Sequence, residues 1–236
     1  MRILALDSSG LVASVAVIRA DGSEEELIAE YTVNYKKTHS QTLLPMLDAV
    51  VRLLNLDLNT IDGIAVSAGP GSFTGLRIGS ATAKGLGLAL DKPLISVPTL
   101  DALAYNLWGS TALICPIMDA RRNQVYTGLY HVSENLQVIK PSCAMDMHAL
   151  AGELNERGEQ VIFLGDGVPV YQEVLSKELY VPFSFAPAQM NRQRAASVAA
   201  LGIQYWKEGK WETAASHKPE YLRKPQAERE REGISL

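Results

Sequence analysis

Two polar turns in this sequence carry the residue types that bind phosphate groups and Mg²⁺. Asp7-Ser8-Ser9-Gly10 offers a carboxylate and two hydroxyls after an apolar run, and Gly165-Asp166-Gly167 follows a second apolar run. One hypothesis is therefore an ATP-dependent enzyme that holds its nucleotide between Asp7, Ser9 and the second turn. The alternative is an Asx-type turn that only joins two strands, and the apolar Leu11-Val12-Ala13 that follows favours it. Asp7, Ser8, Ser9, Gly165 and Gly167 are thus at most a vestigial nucleotide site.

A third turn, Gly69-Pro70-Gly71, joins a β-branched run to a helix predicted over residues 74–90. It lacks the Gly-Lys-Ser/Thr ending of a P-loop, and its glycine spacing differs from the dinucleotide-binding fingerprint. Ser72 or Thr74 can cap the helix that follows. The main expected role of the turn is to start this helix.

The helix after this turn has a small residue at every fourth position, namely Gly75, Gly79, Ala83 and Gly87. A glycine inside a helix costs about 1 kcal/mol relative to alanine. Close approach of another element is expected to offset this cost. Two elements could approach the helix in this way, the protein's own sheet or a helix of another chain, and we favour the second.

A second amphipathic helix is predicted over residues 41–55, with Leu43 and Leu47 on one apolar stripe. Further apolar residues lie off this stripe, which is typical of a helix that contacts more than its own sheet. The two helices together would suit a four-helix bundle with a partner. The predicted partner or dimer interface consists of His39, Leu43, Leu47, Gly75, Gly79 and Ala83.

The other reactive side chains form no catalytic motif. The four histidines are scattered without a His-Glu-x-x-His pattern, and a Gly-x-Ser-x-Gly turn is absent. Cys115 and Cys143 lack metal-ligand spacing and are expected to be free thiols in a reducing compartment. Asp119-Ala120-Arg121-Arg122 is interpreted as a salt-bridged turn rather than an anion site. We therefore predict no catalytic residue and no metal site.

The order of elements that positions these residues occurs twice along the chain. Three meandering strands precede helix, strand, helix, strand and helix, and from Ala112 the order begins again. This order is typical of an RNase-H-like α/β unit. We predict two such halves, as in actin, sugar kinases and Hsp70 ATPase domains, each a mixed five-stranded sheet with flanking helices, the second less complete. The halves are placed at residues 1–100, with the partner-binding helices, and 101–236, with a charged tail.

Composition limits the classes of function. A net charge of −4 over 236 residues argues against a strong nucleic-acid-binding surface. The N-terminal apolar run is too short for a signal peptide, and no stretch approaches the ~20 apolar residues of a membrane span. We expect a cytoplasmic protein without a membrane partner.

Four segments of the chain resemble the TsaB family, formerly called YeaZ. The third of them is the most specific, because few families have it between a strand and a helix. The segments are Ile3-Leu4-Ala5-Leu6-Asp7-Ser8-Ser9, His39-Ser40-Gln41-Thr42-Leu43-Leu44-Pro45, Gly69-Pro70-Gly71-Ser72-Phe73-Thr74-Gly75-Leu76-Arg77-Ile78-Gly79 and Pro219-Glu220-Tyr221-Leu222-Arg223.

The resemblance implies a non-catalytic scaffold in the synthesis of threonylcarbamoyladenosine next to the anticodon of tRNAs. Its related partner TsaD carries two metal-binding histidines, and the matching positions here are Thr99 and Leu103, which cannot hold a catalytic metal. The implied assembly is a heterodimer with TsaD that recruits the ATPase TsaE. Threonylcarbamoyl-AMP synthase belongs to the same pathway.

The resemblance also implies that tRNA is contacted only through the assembly, and that the isolated chain forms a homodimer through the same helices. No cofactor is expected, and any ATP or ADP binding would be weak and confined to the complex. The alternatives that stay open are an actin-like ATPase or small-molecule kinase and, third, a metalloprotease.

Overall fold

The computed structural model describes residues 1–35 and 38–222. The first sheet consists of β1 (Arg2–Asp7), β2 (Ala13–Asp21), β3 (Glu24–Val33), β4 (Gly63–Gly69) and β5 (Leu94–Pro98). The second consists of β6 (Ser110–Asp119), β7 (Gln124–Val132), β8 (Leu136–Asp146), β9 (Val161–Leu164) and β10 (Phe183–Phe185). The helices are α1 (His39–Leu53), α2 (Phe73–Leu90), α3 (Thr99–Tyr105), α4 (Met147–Arg157), α5 (Val168–Glu178) and α6 (Ala195–Lys207).

Both sheets have the same strand order, which confirms the predicted pair of RNase-H-like halves. The order is β3-β2-β1-β4-β5 in the first sheet and β8-β7-β6-β9-β10 in the second. In each sheet three strands pair antiparallel as a meander and two further strands pair parallel. The second half has all five predicted strands and is the less complete half in its helices, since α4 and α5 cover its sheet whereas α1, α2 and α6 cover the first. Its last strand, β10, has three residues, too few to give a recognisable sequence pattern.

Helices α1 and α2 cover one face of the first sheet. Leu43 and Leu47 of α1 and Ala83 of α2 are buried in one apolar cluster with Val15 and Val17 of β2. Helix α1 begins and ends two residues before its predicted bounds of 41 and 55, whereas α2 begins one residue before its predicted start and ends at the predicted residue. Ser72 Oγ accepts a hydrogen bond from the Gly75 N–H at 3.3 Å, which confirms the predicted cap of α2.

Helix α6 covers the opposite face of the same sheet. Val198 and Leu201 of α6 are buried with Ala5, Ala65 and Ile95 from three strands of the first sheet. The sequence had assigned this helix to the second half, residues 101–236. In the structure this helix packs on the first sheet instead. Its apolar stripe covers the face that α1 and α2 leave open.

We call the first sheet with α1, α2 and α6 the first lobe, and the second sheet with α4 and α5 the second lobe. Leu113, Phe163 and Leu150 belong to the core of the second lobe. Helix α3 lies between the lobes, where Leu100 and Leu103 pack with buried residues of β6 and β7. Within the described part of the chain, no helix has the length and apolar character needed to cross a membrane.

Candidate functional site

The Asp7 carboxylate accepts hydrogen bonds from neighbouring residues of the chain. Its side chain is buried, and Oδ1 accepts hydrogen bonds from the Ser9 N–H at 2.8 Å and the Ser9 hydroxyl at 2.7 Å. Oδ2 accepts from the Ser67 hydroxyl on β4. Burial raises the pKa of Asp7, and these hydrogen bonds partly oppose that rise. The carboxylate thus has a structural role, but it joins the end of β1 to β4 rather than to the following strand β2.

The second predicted turn, Gly165-Asp166-Gly167, also makes its contacts within the chain. Gly165 has a φ of 109°, and a Cβ there would lie 2.2 Å from the backbone oxygen of Ile117. Arg192 donates to the Gly165 carbonyl at 2.8 Å. Glycine at this position is therefore explained by close backbone contact within the chain.

A cleft of about 410 Å³ separates the lobes at these two turns. Ser9 and Gly71 line it from the first lobe, and Asp119 and Asp166 line it from the second. The structure thus brings the two turns to the same cleft. Of the five predicted nucleotide residues, however, Ser9 alone is among the described lining residues, while Asp7, Ser8, Gly165 and Gly167 lie behind it.

The turn between β6 and β7 forms one edge of this cleft. Arg121, Arg122 and Asn123 all have positive φ, at 66°, 55° and 57°. Asp119 holds the turn, since its carboxylate accepts from the Arg121 N–H at 2.9 Å and pairs with the Arg121 guanidinium at 3.3 Å. The predicted salt-bridged turn is confirmed.

Three residues at the end of the described chain also line the cleft: Glu220, Tyr221 and Leu222. The sequence alone predicts no structural role for this segment. A Pro-Glu-Tyr-Leu run has no periodicity, so no sequence signal could place it there. Arg223, the last residue of that segment, lies outside the described residues.

The positions that match the TsaD histidines lie inside the protein. Thr99 and Leu103 are both buried on α3, and the Thr99 hydroxyl has no hydrogen-bond partner among the described residues. In the described part of the chain, no three His, Cys, Asp or Glu side chains lie close enough together to hold a metal ion.

The structure corrects which face of α2 is open. A Cβ at Gly75 would lie 2.0 Å from the backbone oxygen of Ser8, and one at Gly79 would lie 2.5 Å from Ser8 Oγ. Ala83 is completely buried. These three residues therefore pack on the protein's own first sheet, the alternative that the sequence analysis did not favour.

The α1 residues of the predicted interface are directed inward as well. Leu43 and Leu47 are 1% and 5% exposed, and both belong to the core of the first lobe. His39 is half-buried, and its Nε2 lies 2.8 Å from the Gly10 carbonyl oxygen. None of the six predicted interface residues is fully exposed, because the stripes that the sequence shows most clearly are the core stripes.

The opposite side of α2 is largely exposed and made of uncharged residues, with Arg77 and Lys84 at its edge. We call this surface the α2 outer face; it consists of the exposed Ala81, Gly85, Leu88 and Ala89 and the half-buried Ile78 and Thr82. Leu88 is 64% exposed, and a Cβ at Gly85 would meet open space. On the neighbouring helix α1, Leu44 is 54% exposed. The helix pair thus presents apolar side chains to solvent, as the sequence predicted, but on a different face.

Comparisons with known proteins agree with this architecture. A family model described as TsaD, tRNA N6-adenosine threonylcarbamoyltransferase, matches residues 26–231. The tRNA threonylcarbamoyladenosine biosynthesis protein TsaB of Bacillus subtilis is 34% identical over 97% of this chain and 96% of its own length. The TsaB protein of Escherichia coli is 31% identical over 94% of this chain and 95% of its own.

Among solved structures, YeaZ from Pseudomonas aeruginosa superposes with a TM-score of 0.76 at 25% identity, covering 94% of this chain and all of that one. Relatives that match nearly end to end in both sequence and fold place this chain in the TsaB (YeaZ) family.

Proposed function

We propose that this protein is a non-catalytic subunit in the formation of threonylcarbamoyladenosine on tRNA. In this proposal it binds and activates a TsaD subunit in the cytoplasm, and the pair recruits TsaE. The proposal rests on the near end-to-end similarity to proteins of that pathway. Contact with tRNA comes through the assembly, because the chain has a net charge of −4.

The observation that carries the proposal is the uncharged, exposed α2 outer face. An exposed helix surface normally carries charged residues, and an exposed face made only of uncharged residues is typical of an interface. Gly85 and Ala81 would let a partner helix approach closely, while Leu88 and Leu44 supply apolar contact area. We propose that TsaD covers this face in the heterodimer and that a second copy covers it when the protein is alone.

We propose that the chain has no catalytic activity because of the chemistry of its described residues. Thr99 and Leu103 replace the two metal-binding histidines of TsaD, and neither can do their work. The Asp7 carboxylate and the Ser8 and Ser9 hydroxyls bind one another and the backbone, although Ser9 also lines the cleft. An ATPase role that used these side chains to hold a nucleotide would require some of their hydrogen bonds to be broken.

Replacing Leu88 by glutamate will weaken TsaD binding by at least about thirtyfold, or about 2 kcal/mol, because the charge must be buried without a partner. The folded state should be unaffected, since Leu88 is largely exposed. Titration calorimetry with TsaD measures the affinity, and light scattering measures the homodimer. Val170→Glu is the matched control, because Val170 is a 55% exposed apolar residue on α5 of the second lobe.

The same variant must lower tRNA modification in a reconstituted reaction while Val170→Glu does not. If Leu88→Glu binds TsaD as tightly as the unmodified protein, the α2 outer face is not the interface. If binding is lost but modification continues unchanged, the activating role is wrong.

A further inference from the structure

The chain does not leave the first lobe after α6 but runs back across it. Residues 212–222, which we call the C-terminal strap, begin at the open edge of the first sheet. Glu212 and Leu94 of β5 exchange two backbone hydrogen bonds, each at 2.9 Å. The strap therefore starts as a short extension of the sheet.

A buried side-chain cluster fixes the middle of the strap. His217 is 1% exposed, and its Nδ1 lies 2.9 Å from Glu212 Oε1 and 3.0 Å from Ser96 Oγ. Lys84 of α2 donates to the carbonyls of Ala215 and His217 at 3.1 and 3.0 Å. A segment with no regular secondary structure is thus bound to both the sheet and α2.

The end of the strap enters the space between the lobes. The Glu220 N–H donates to the Ala68 carbonyl at 2.7 Å. The backbone comes so close that a Cβ at Gly69 would lie 2.2 Å from the Glu220 oxygen. Tyr221 then packs on Phe73 with ring centroids 5.0 Å apart, and its hydroxyl accepts from Arg77 at 3.3 Å.

The strap end divides the interlobe space into two cavities. Glu220 and Leu222 line both the 410 Å³ cleft and a second cavity of about 330 Å³. In the second cavity they face Val138, Pro141 and Ser142 of β8, in the second lobe. The partition between the cavities is therefore made by a segment that is hydrogen-bonded to the first lobe and lies across the second cavity from β8.

We propose that residues 219–222 are a wedge that sets the angle between the two lobes. The first lobe holds the wedge through the Glu220 backbone hydrogen bond and the Tyr221 contacts, while β8 of the second lobe lines the cavity on the other side of the wedge. Loss of the wedge joins the two cavities and lets the second lobe move relative to the first. This device acts within the isolated chain and does not depend on which partner covers α2.

Substitution of Glu220 tests the wedge in the full-length chain. Glu220→Pro removes the N–H that donates to Ala68, whereas Glu220→Ala keeps it and removes only the carboxylate. Loss of one such hydrogen bond should speed local opening by about tenfold. We expect faster hydrogen exchange at residues 69–73 and 138–142 in Glu220→Pro and wild-type exchange in Glu220→Ala.

Lobe movement is measured directly by electron spin resonance distances. Nitroxide labels at Asn59 and Glu134, which are exposed on the two lobes, are introduced in a Cys143→Ser background. A broader distance distribution in Glu220→Pro supports the wedge. A chain ending at residue 218 serves as the second variant, because it lacks the whole wedge. If that chain shows the wild-type distribution and unchanged exchange at residues 138–142, the proposal is wrong.

Discussion

Replacing Gly75 by alanine will destabilise the protein by about 3 kcal/mol, whereas the same change at Gly85 will stabilise it by about 1 kcal/mol. Both glycines lie in α2, ten positions apart. At Gly75 the new methyl would meet the Ser8 backbone oxygen at 2.0 Å, and a backbone atom cannot move aside as a flexible side chain can. At Gly85 the methyl meets open space, so the higher helix propensity of alanine is gained without a clash.

Urea unfolding of the two variants and the wild type measures this difference. The measurement should be repeated at several protein concentrations, since an oligomer gains stability with concentration. Equal losses for both variants would contradict the division of α2 into a core face and an outer face. The pair also explains why a bulky residue at Gly79 or Ala83 cannot test partner binding: such a residue would disrupt the core first.

Replacing Asp7 by alanine will cost at least about 3 kcal/mol, while replacing it by asparagine will cost far less. Alanine leaves the Ser9 N–H, the Ser9 hydroxyl and the Ser67 hydroxyl without their acceptor inside the protein. Each unpaired buried group of this kind costs about 1–3 kcal/mol. Asparagine keeps the shape and one acceptor oxygen. Thermal and urea unfolding of both variants check the prediction, and similar losses for the two would contradict it.

The asparagine variant has a pH signature as well. Burial raises the pKa of Asp7 from its ordinary value of 3.8, so the folded state keeps the proton to higher pH than the unfolded chain does. The contribution of Asp7 to the free energy of unfolding is therefore highest at low pH and falls as the pH rises above 3.8 towards the folded-state pKa. Over that window Asp7→Asn should gain stability relative to the wild type. A constant difference would contradict the raised pKa.

These effects also decide how a nucleotide hypothesis can be tested. Loss of ATP binding in Asp7→Ala would be uninformative, because that variant is expected to be badly destabilised. Asp7→Asn removes the charge that Mg²⁺ needs and keeps the turn, so calorimetry with ATP and Mg²⁺ should compare it with the wild type. Micromolar binding by the wild type that disappears in Asp7→Asn would favour the ATPase alternative.

Much of the first lobe could be predicted because its elements are long and periodic. The Leu43 and Leu47 stripe indicated α1, and the Ser72 cap indicated the start of α2. The orientation of α2 could not be predicted, since it has small residues on both sides. Gly79 and Ala83 repeat on the core face in the same way that Ala81 and Gly85 repeat on the outer face, and only contacts with distant residues, such as that of Gly79 with Ser8, distinguish the two faces.

Features that depend on contacts between distant parts of the chain had no sequence signal. The short strand β10 pairs with β9 over three residues, and the C-terminal strap is held by backbone hydrogen bonds and by side chains of distant segments, such as Ser96 and Lys84. Helix α6 was recognised as a helix, but nothing in its apolar stripe specifies which of two sheets it covers. The cleft residues were therefore only partly predicted: Ser9 from its turn, and Tyr221 not at all.

The return of α6 and the strap to the first lobe has a consequence for how the protein is made. On the ribosome, β1 to β5 emerge first, yet the face of their sheet that α6 covers stays largely open until Val198 and Leu201 arrive about a hundred residues later. The second lobe, built from an uninterrupted stretch of chain, can finish earlier. The first part synthesised is thus the last to be completed. A nascent chain paused before α6 would expose Ala5, Ala65 and Ile95 to chaperones.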